Sequence, residues 1–314
     1  MSASLAQRAY AETRSSRGLL GVFACVALIL FLDWHCNSMG VRALARLWAL
    51  MYDAFSDRFT FPVFGGWAII MCIYWLVAAP LLYVDVYQEP ASLCARRLPT
   101  ARAFAIEGSQ HNASLRTLLI VVLGNQILVM LPCLFMLQWL FGLVRWPWPA
   151  GIRMHRELPS LFTIGWQCAL SALLGEPVFY FAHRLLHTKI LFARVHKIRH
   201  SFGATLPIAA ATLYAHPLEV VLCNVLPLAL PVFLIGTHVV VWFISIIFEW
   251  TFVMLGRSEY DLPALSLLVP RDEFLDVHHQ YADGNYGAMG WLDALLGTRS
   301  RHSAKRREIN VSAL

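Results

Sequence analysis

The chain has 314 residues, of which 58% are hydrophobic and 14% charged, and its formal net charge is +6. A soluble domain carries about a quarter charged residues, so this composition excludes an ordinary soluble enzyme and predicts a polytopic membrane protein. The small positive charge sits in short loops, where it orients a chain beside anionic lipid; it excludes nucleic acid as a partner.

In chain order, residues 1–17 are polar and carry Arg8, Arg14 and Arg17, and residues 18–32 form a short apolar run read as a membrane anchor. Residues 39–55 place Arg42, Arg46 and Asp53 on one side of a helix and Leu44, Leu47, Trp48 and Met51 on the other. That pattern fits a helix lying in the membrane interface, or an ordinary amphipathic connector. A span is expected over 61–83. A polar loop over 88–116 carries Arg96, Arg97, Arg102 and Arg116. A second span, over 118–144, is interrupted by Asn125 and Pro132. The loop 145–157 is rich in Trp and Pro and suits the headgroup zone. A further span over 158–182 leads directly into His183. Residues 218–255 are too many for one span, so two antiparallel segments are expected to meet near Gly236.

Together these predict an all-α integral membrane protein with four to six membrane segments and a helical cap bearing the histidines. Four spans before His183 put the N-terminus, the 88–116 loop, the stretch after His183 and the basic C-terminus on one face, the cytosolic one. Against this count, the loops 35–60 and 145–157 also carry arginines. The seven cysteines are dispersed with no CxxC pair, which excludes a disulfide framework or zinc knuckle and marks them as small buried residues.

Histidine carries the chemical signal. His183 and His187 are spaced i, i+4, and so are His196 and His200. On a helix each pair shares one face, one turn apart, where two imidazoles can hold one metal ion; neutral imidazole suits iron, zinc and copper. His216 precedes Pro217, which starts a new helix, and stands beside Glu219. His278 and His279 are adjacent and follow Asp276; the pair could serve two metals, or one metal and a ligand's partner. His238 sits inside the apolar hairpin, where an ionisable residue is costly and usually functional. His35, His111, His155 and His302 are assigned to loops and interfaces. Glu176 lies seven residues before His183 on the same helix face. It either ligates, or accepts a hydrogen bond that fixes an imidazole, or faces a wet cavity.

HRLLH at 183–187, HKIRH at 196–200, YAHPLE at 214–219, LDVHH at 275–279 and NYG at 285–287 resemble the fatty acid hydroxylase superfamily. The sterol desaturase and C4-methylsterol oxidase branch is the nearest part of it. Animal fatty acid hydroxylase domain-containing proteins are similar through 206–224. The resemblance covers residues 160–300 and divides the chain into an N-terminal membrane region, 1–157, and a hydroxylase-like domain, 158–314. It implies a pair of irons held by His183, His187, His196, His200, His216, His238, His278 and His279, with Glu176 or Asp276 as supporting or substitute groups. It also implies a membrane lipid substrate (sterol or acyl), a reduced cytochrome as electron donor, and a place in lipid biosynthesis in the endoplasmic reticulum.

Three positions depart from the superfamily pattern. Arg199 stands inside the second cluster, Arg257 precedes Ser-Glu-Tyr, and Leu275 opens LDVHH. Leu cannot bind a metal and Arg is always cationic. Two expectations follow. One is a di-iron-type lipid oxygenase with a reduced ligand set. The other is a pseudo-enzyme that binds a lipid or a partner enzyme, its arginines pairing with Glu219, Glu259 or Asp276. A transporter is disfavoured, since the spans carry no paired charges beyond the lone Glu249.

Overall fold

The computed structural model describes residues 39–55, 57–94, 115–143, 150–203, 209–256, 260, 277–278 and 281–300. The anchor expected over 18–32 lies outside them. So do Arg257, Glu259, Leu275, Asp276 and His279.

Every extended element among the described residues is a helix; the one β-bridge joins Arg153 to His238. Helix α1 is Met39–Ala54 and α2 is Thr60–Tyr87. Helix α3 runs as Leu115–Gly124 and Leu131–Leu143, joined by a π-turn at Asn125–Met130. Helix α4 is Leu161–Leu186, started by Ser160, whose Oγ accepts from the Thr163 N–H at 3.1 Å. After a short turn at Lys189–Leu191 and a π-turn at Phe192–His196 comes α5, Lys197–Gly203. Helix α6 is Pro217–Val220 and Leu226–Ile235, joined by a π-turn at Val221–Val225. Helix α7 is Val239–Gly256, and α8 is the short Trp291–Leu295.

Four segments are long and apolar enough to cross a membrane: Thr60–Val84, Arg116–Leu143, Pro217–Ile235 and Val239–Gly256. The run 218–255 divides as the sequence predicts, with Gly236 in the left-handed conformation (φ 69°) ending α6. The helix expected over 158–182 forms as α4 but is not one of the four. Gln167, Ser171, Glu176 and His183 lower its apolarity. It packs one side against α6 and α7 and leaves Phe162, Leu173, Phe181 and Leu185 exposed on the other.

Helices from both halves of the chain pack together. On α2, Gly66 leaves room for the Trp242 ring of α7, which a Cβ there would strike. The Trp242 Nε1–H donates to Pro62 O at 3.1 Å. Trp67 and Trp75 of α2 donate to the backbone and side-chain oxygens of Gln126 in the π-turn of α3. Such bonds matter in lipid because no water is present to satisfy a stranded N–H.

The bundle therefore has two ends. At one, the α6–α7 hairpin turn meets α1 and residues 150–156: Arg153 N–H donates to Thr237 O and Val239 N–H to Arg153 O. Trp48 is buried here and donates to His155 O at 2.9 Å, while Leu44, Leu47, Leu50 and Met51 of α1 stay exposed. At the other end, the Asn125 amide donates to Leu213 O and Ala215 O, and Tyr74 OH bonds Ala210 O. These bonds fix the segment that leads into His216 and Glu219. The histidine clusters lie at this second end.

Candidate metal centre

Helix α4 delivers His183 in its last turn and His187 as the residue that ends it. The π-turn Phe192–His196 inserts one residue into the helical register, and His196 and His200 follow one turn apart. His278 comes from the C-terminal segment. One ring nitrogen from each of His183, His187, His196 and His278 lies within 4.8 Å of all the others. The Nε2 atoms of His183 and His196 are 3.2 Å apart, those of His187 and His278 3.0 Å, and those of His200 and His196 3.1 Å. Two imidazoles bound to one ion at about 2.1 Å sit about 3.0–3.4 Å apart at adjacent positions, so this spacing is that of neighbouring ligands.

The other ring nitrogens explain the orientation. His183 Nδ1–H donates to Tyr286 O at 2.8 Å and His278 Nδ1–H to Gly284 O at 2.6 Å. His196 Nδ1 faces Glu219 Oε2 at 3.0 Å. The two carbonyls hold a proton on Nδ1 of His183 and of His278 and so turn their Nε2 lone pairs inward. The His183 lone pair then faces the His196 ring nitrogen at 3.2 Å, an approach that a cation between the rings suits. The residues present thus fit a metal ion.

Burial favours the neutral rings. His183, His196 and His278 are buried. Burial, then the neighbouring imidazoles, pushes His187 down to about 2. Burial likewise depresses His278 to about 4 against the opposing hydrogen bond to Gly284 O. Both are neutral across the physiological range, the form a metal takes. The rings of Phe192 and Tyr286 flank His187 at 5.4 and 5.1 Å.

A second layer holds the turn 284–290 against the cluster. Glu176 receives the Ala288 N–H at 3.1 Å and the Met289 N–H at 2.9 Å. Asp293 receives the Tyr286 N–H at 2.8 Å, the Gly287 N–H at 2.7 Å and the Thr298 hydroxyl at 2.7 Å. A Cβ on Gly287 would meet Glu176 Oε1 at 2.5 Å and Asp293 Oδ2 at 2.8 Å, so only glycine fits between the two carboxylates. Of the roles open to Glu176, the structure gives the hydrogen-bond acceptor: it positions the backbone that receives His183. Asp293 escaped the sequence reading, although a lone acid in the apolar run Trp-Leu-Asp-Ala-Leu-Leu was a legible signal.

Arg199 is also buried. Its Nε–H bonds Glu219 Oε1 and its Nη2 donates to Thr212 O at 3.1 Å. Glu219, 1% exposed, thereby joins Arg199 to His196. Of the partners expected for the two arginines, Glu219 is the one found among the described residues.

Two expected ligands stand elsewhere. His216 caps α6, its Nδ1 accepting from the Leu218 N–H at 3.1 Å. Placing His238 in the site is corrected: it lies at the hairpin end, about 28 Å away by the 19-residue length of α6 at 1.5 Å per residue. Both of its ring nitrogens are occupied there. Nε2–H donates to His155 O at 3.1 Å and Nδ1 accepts from the Val240 N–H at 3.2 Å.

The fold and site define an all-α membrane protein with a buried histidine cluster, in metal-ligand geometry, at one end of its bundle. A family model described as fatty acid hydroxylase matches residues 168–298. The chain is 31% identical over 286 residues to fatty acid hydroxylase domain-containing protein 2 of Macaca fascicularis, covering 88% of this chain and 80% of the relative. It is 32% identical over 162 residues to methylsterol monooxygenase 1 of Gallus gallus, covering 48% and 52% of the two chains. It is 24% identical over 284 residues to a putative methylsterol monooxygenase of Dictyostelium discoideum, covering 87% and 97%. No solved structure matches it. The chain belongs to the fatty acid hydroxylase family.

Proposed function

We propose that the chain is a membrane-bound, iron-dependent lipid oxygenase that hydroxylates or oxidises a sterol or acyl lipid in lipid biosynthesis. The observation that carries this reading is the convergence of inward-turned imidazole nitrogens in a buried site. The named relatives, a fatty acid hydroxylase domain-containing protein and methylsterol monooxygenases, suggest the substrate class. His183, His187, His196, His200 and His278 hold the iron. Bound iron supplies dioxygen activation, which is needed to attack an unreactive C–H bond. Tyr286 O and Gly284 O keep the rings of His183 and His278 in the tautomer that binds metal. Glu176 and Asp293 keep the turn that offers those carbonyls in place, and Phe192 and Tyr286 exclude water from His187.

In this reading the histidine end faces the cytosol, in the endoplasmic reticulum. The described residues at that end include Arg116, Arg184, Lys189, Arg194 and Lys197. Lys189, Arg194 and Lys197 are exposed beside the cluster and suit an acidic cytochrome that delivers electrons. His279, next to His278 in sequence, and Asp276, two residues before it, are proposed to join or support the ligand set.

The second reading, a pseudo-enzyme that binds a lipid or partner enzyme, is favoured by one observation: the buried guanidinium of Arg199 next to the cluster. The two are separated by assaying full-length protein in detergent with a reduced cytochrome system, dioxygen and labelled 4-methylsterol or acyl lipid. The oxygenase reading expects oxygen incorporation in wild type and none in His187→Ala. Folded, iron-loaded wild type that oxidises neither lipid class would leave the pseudo-enzyme reading standing.

A further inference from the structure

We propose that Asn224 is a specificity-determining residue: its buried amide takes a hydroxyl group of the lipid substrate, a few bonds from the carbon that is oxidised. The inference rests on the lipid-oxygenase reading above and specifies its substrate.

Three observations carry it. First, the amide is unpartnered. Asn224 is 8% exposed, and its Nδ2 has no hydrogen-bond acceptor among the described residues. A buried amide left so costs free energy, and within a membrane little water is at hand to satisfy it. Second, its place in α6 turns it toward the histidines. Asn224 belongs to the π-turn Val221–Val225, where the Leu226 N–H donates to Val221 O, five residues back. That register stacks residue i+5 beneath residue i, and Asn224 follows Glu219 by five. Glu219 Oε2 lies 3.0 Å from His196 Nδ1. At about 1.5 Å per residue, Asn224 is about 7 Å from Glu219 along the helix. Single π-turns inside α-helices are frequent at functional sites. Third, the space has a floor. The π-turn packs on α4, the helix that delivers His183. Three residues beyond Asn224 the two helices close on each other, since a Cβ on Gly175 would meet Pro227 O at 2.7 Å. Asn224 stands between that contact and the histidines, in the interval of α4 that carries Phe179, whose ring lies 5.3 Å from His183.

An amide donates from Nδ2 and accepts at Oδ1, so it matches a hydroxyl, which does both. A hydroxyl held at this depth leaves the carbons a few bonds away beside the histidines. A sterol oxidised next to its 3-hydroxyl meets that condition. So does a long-chain alcohol oxidised near its head, whereas an acyl chain oxidised far from any polar group does not.

The test is lipid binding by full-length, metal-free protein in detergent micelles, which makes it independent of iron and of turnover. Two pairs of tritiated probes are used: a 4-methylsterol with its 3-deoxy analogue, and a long-chain 1-alkanol with the alkane of equal length. Wild type is expected to hold the hydroxyl-bearing member of one pair about 10-fold more tightly, and that pair names the source of the hydroxyl. His187→Ala is expected to keep this preference, because the histidines are not its cause. Asn224→Leu, close in volume, is expected to bind both members alike. Its lipid-free thermal unfolding is expected at or above the wild-type temperature, because an unpartnered amide has been replaced by an apolar group; a merely structural asparagine would instead lower it. Equal binding within both pairs by wild type, or no binding of any probe, would overturn the inference and leave a buried water as the partner of Asn224. A preference that survives in folded Asn224→Leu would overturn the role given to this residue. Failure of the oxygenase reading would appear separately, as absent iron or absent oxygen insertion, with the lipid preference intact.

Discussion

The two ends of the bundle use histidine in opposite ways. At the hairpin end, His238 satisfies both ring nitrogens with backbone, joining α7 to the loop that carries His155. At the other end, His183 satisfies only Nδ1 with backbone, and its Nε2 meets another imidazole. Both rings are shielded and both sit where a helix begins or ends. What distinguishes a structural histidine from a ligand is the second nitrogen. Once backbone has claimed both, the ring is structural; where several second nitrogens converge, they need a cation.

The largest effect expected from breaking this contrast is on metal retention. His187→Ala should abolish tight metal binding and activity, whereas His238→Ala should leave metal content unchanged, read by metal analysis of the purified proteins. Loss of metal in His238→Ala without unfolding would erase the distinction between the ends. Next comes the support layer. Glu176→Ala strands the Ala288 and Met289 N–H groups. It should weaken metal binding about 10- to 100-fold and destabilise the fold by about 1 kcal/mol for each lost hydrogen bond, since both donors sit on exposed residues that water can reach, read by metal titration and thermal unfolding. His238→Ala should lower stability more modestly, by about 1 kcal/mol for the lost cap on α7.

Acidity sharpens the same contrast. In metal-free protein His187 and His278 are depressed from 6.5 to about 2 and about 4. Below pH 6.5 the unfolded chain binds protons that the folded chain refuses, so stability must fall as pH drops. For His278 the loss runs from about pH 6.5 to about 4, and for His187 it continues toward 2. Bound metal should compete with these protons and be released over the acid range. Thermal unfolding followed between pH 7 and 4 checks the sign; stability rising on acidification would contradict the neutral cluster.

Much of this was legible in the chain. The i, i+4 spacing of His183 with His187 and of His196 with His200 depends only on helical geometry; His183, His187 and His196 lie in the four-histidine group, and His200 approaches it through His196. The hairpin at Gly236 followed from length and from one residue able to take a positive φ. The assignment of His238 failed because cost of burial says that a residue matters, not at which end of a helix it lies. Counting 22 residues from His216 along a helix would have separated the two. The network of Glu176, Asp293 and residues 284–290 was partly hidden for a different reason. Its bonds run to backbone N–H groups, which carry no residue-specific mark. Arg199 could be seen as out of pattern, but its capture of Glu219 needed the fold to bring α5 against α6.

The central claim is that imidazole nitrogens converge on a metal at the histidine end. X-ray absorption on the iron-loaded, full-length protein tests it most directly. The account predicts a shell of nitrogen ligands at about 2.0–2.2 Å with strong outer-ring scattering from several imidazoles, lost in His187→Ala and kept in His238→Ala. An iron shell without imidazole scattering, in protein that retains its helical fold, would contradict it.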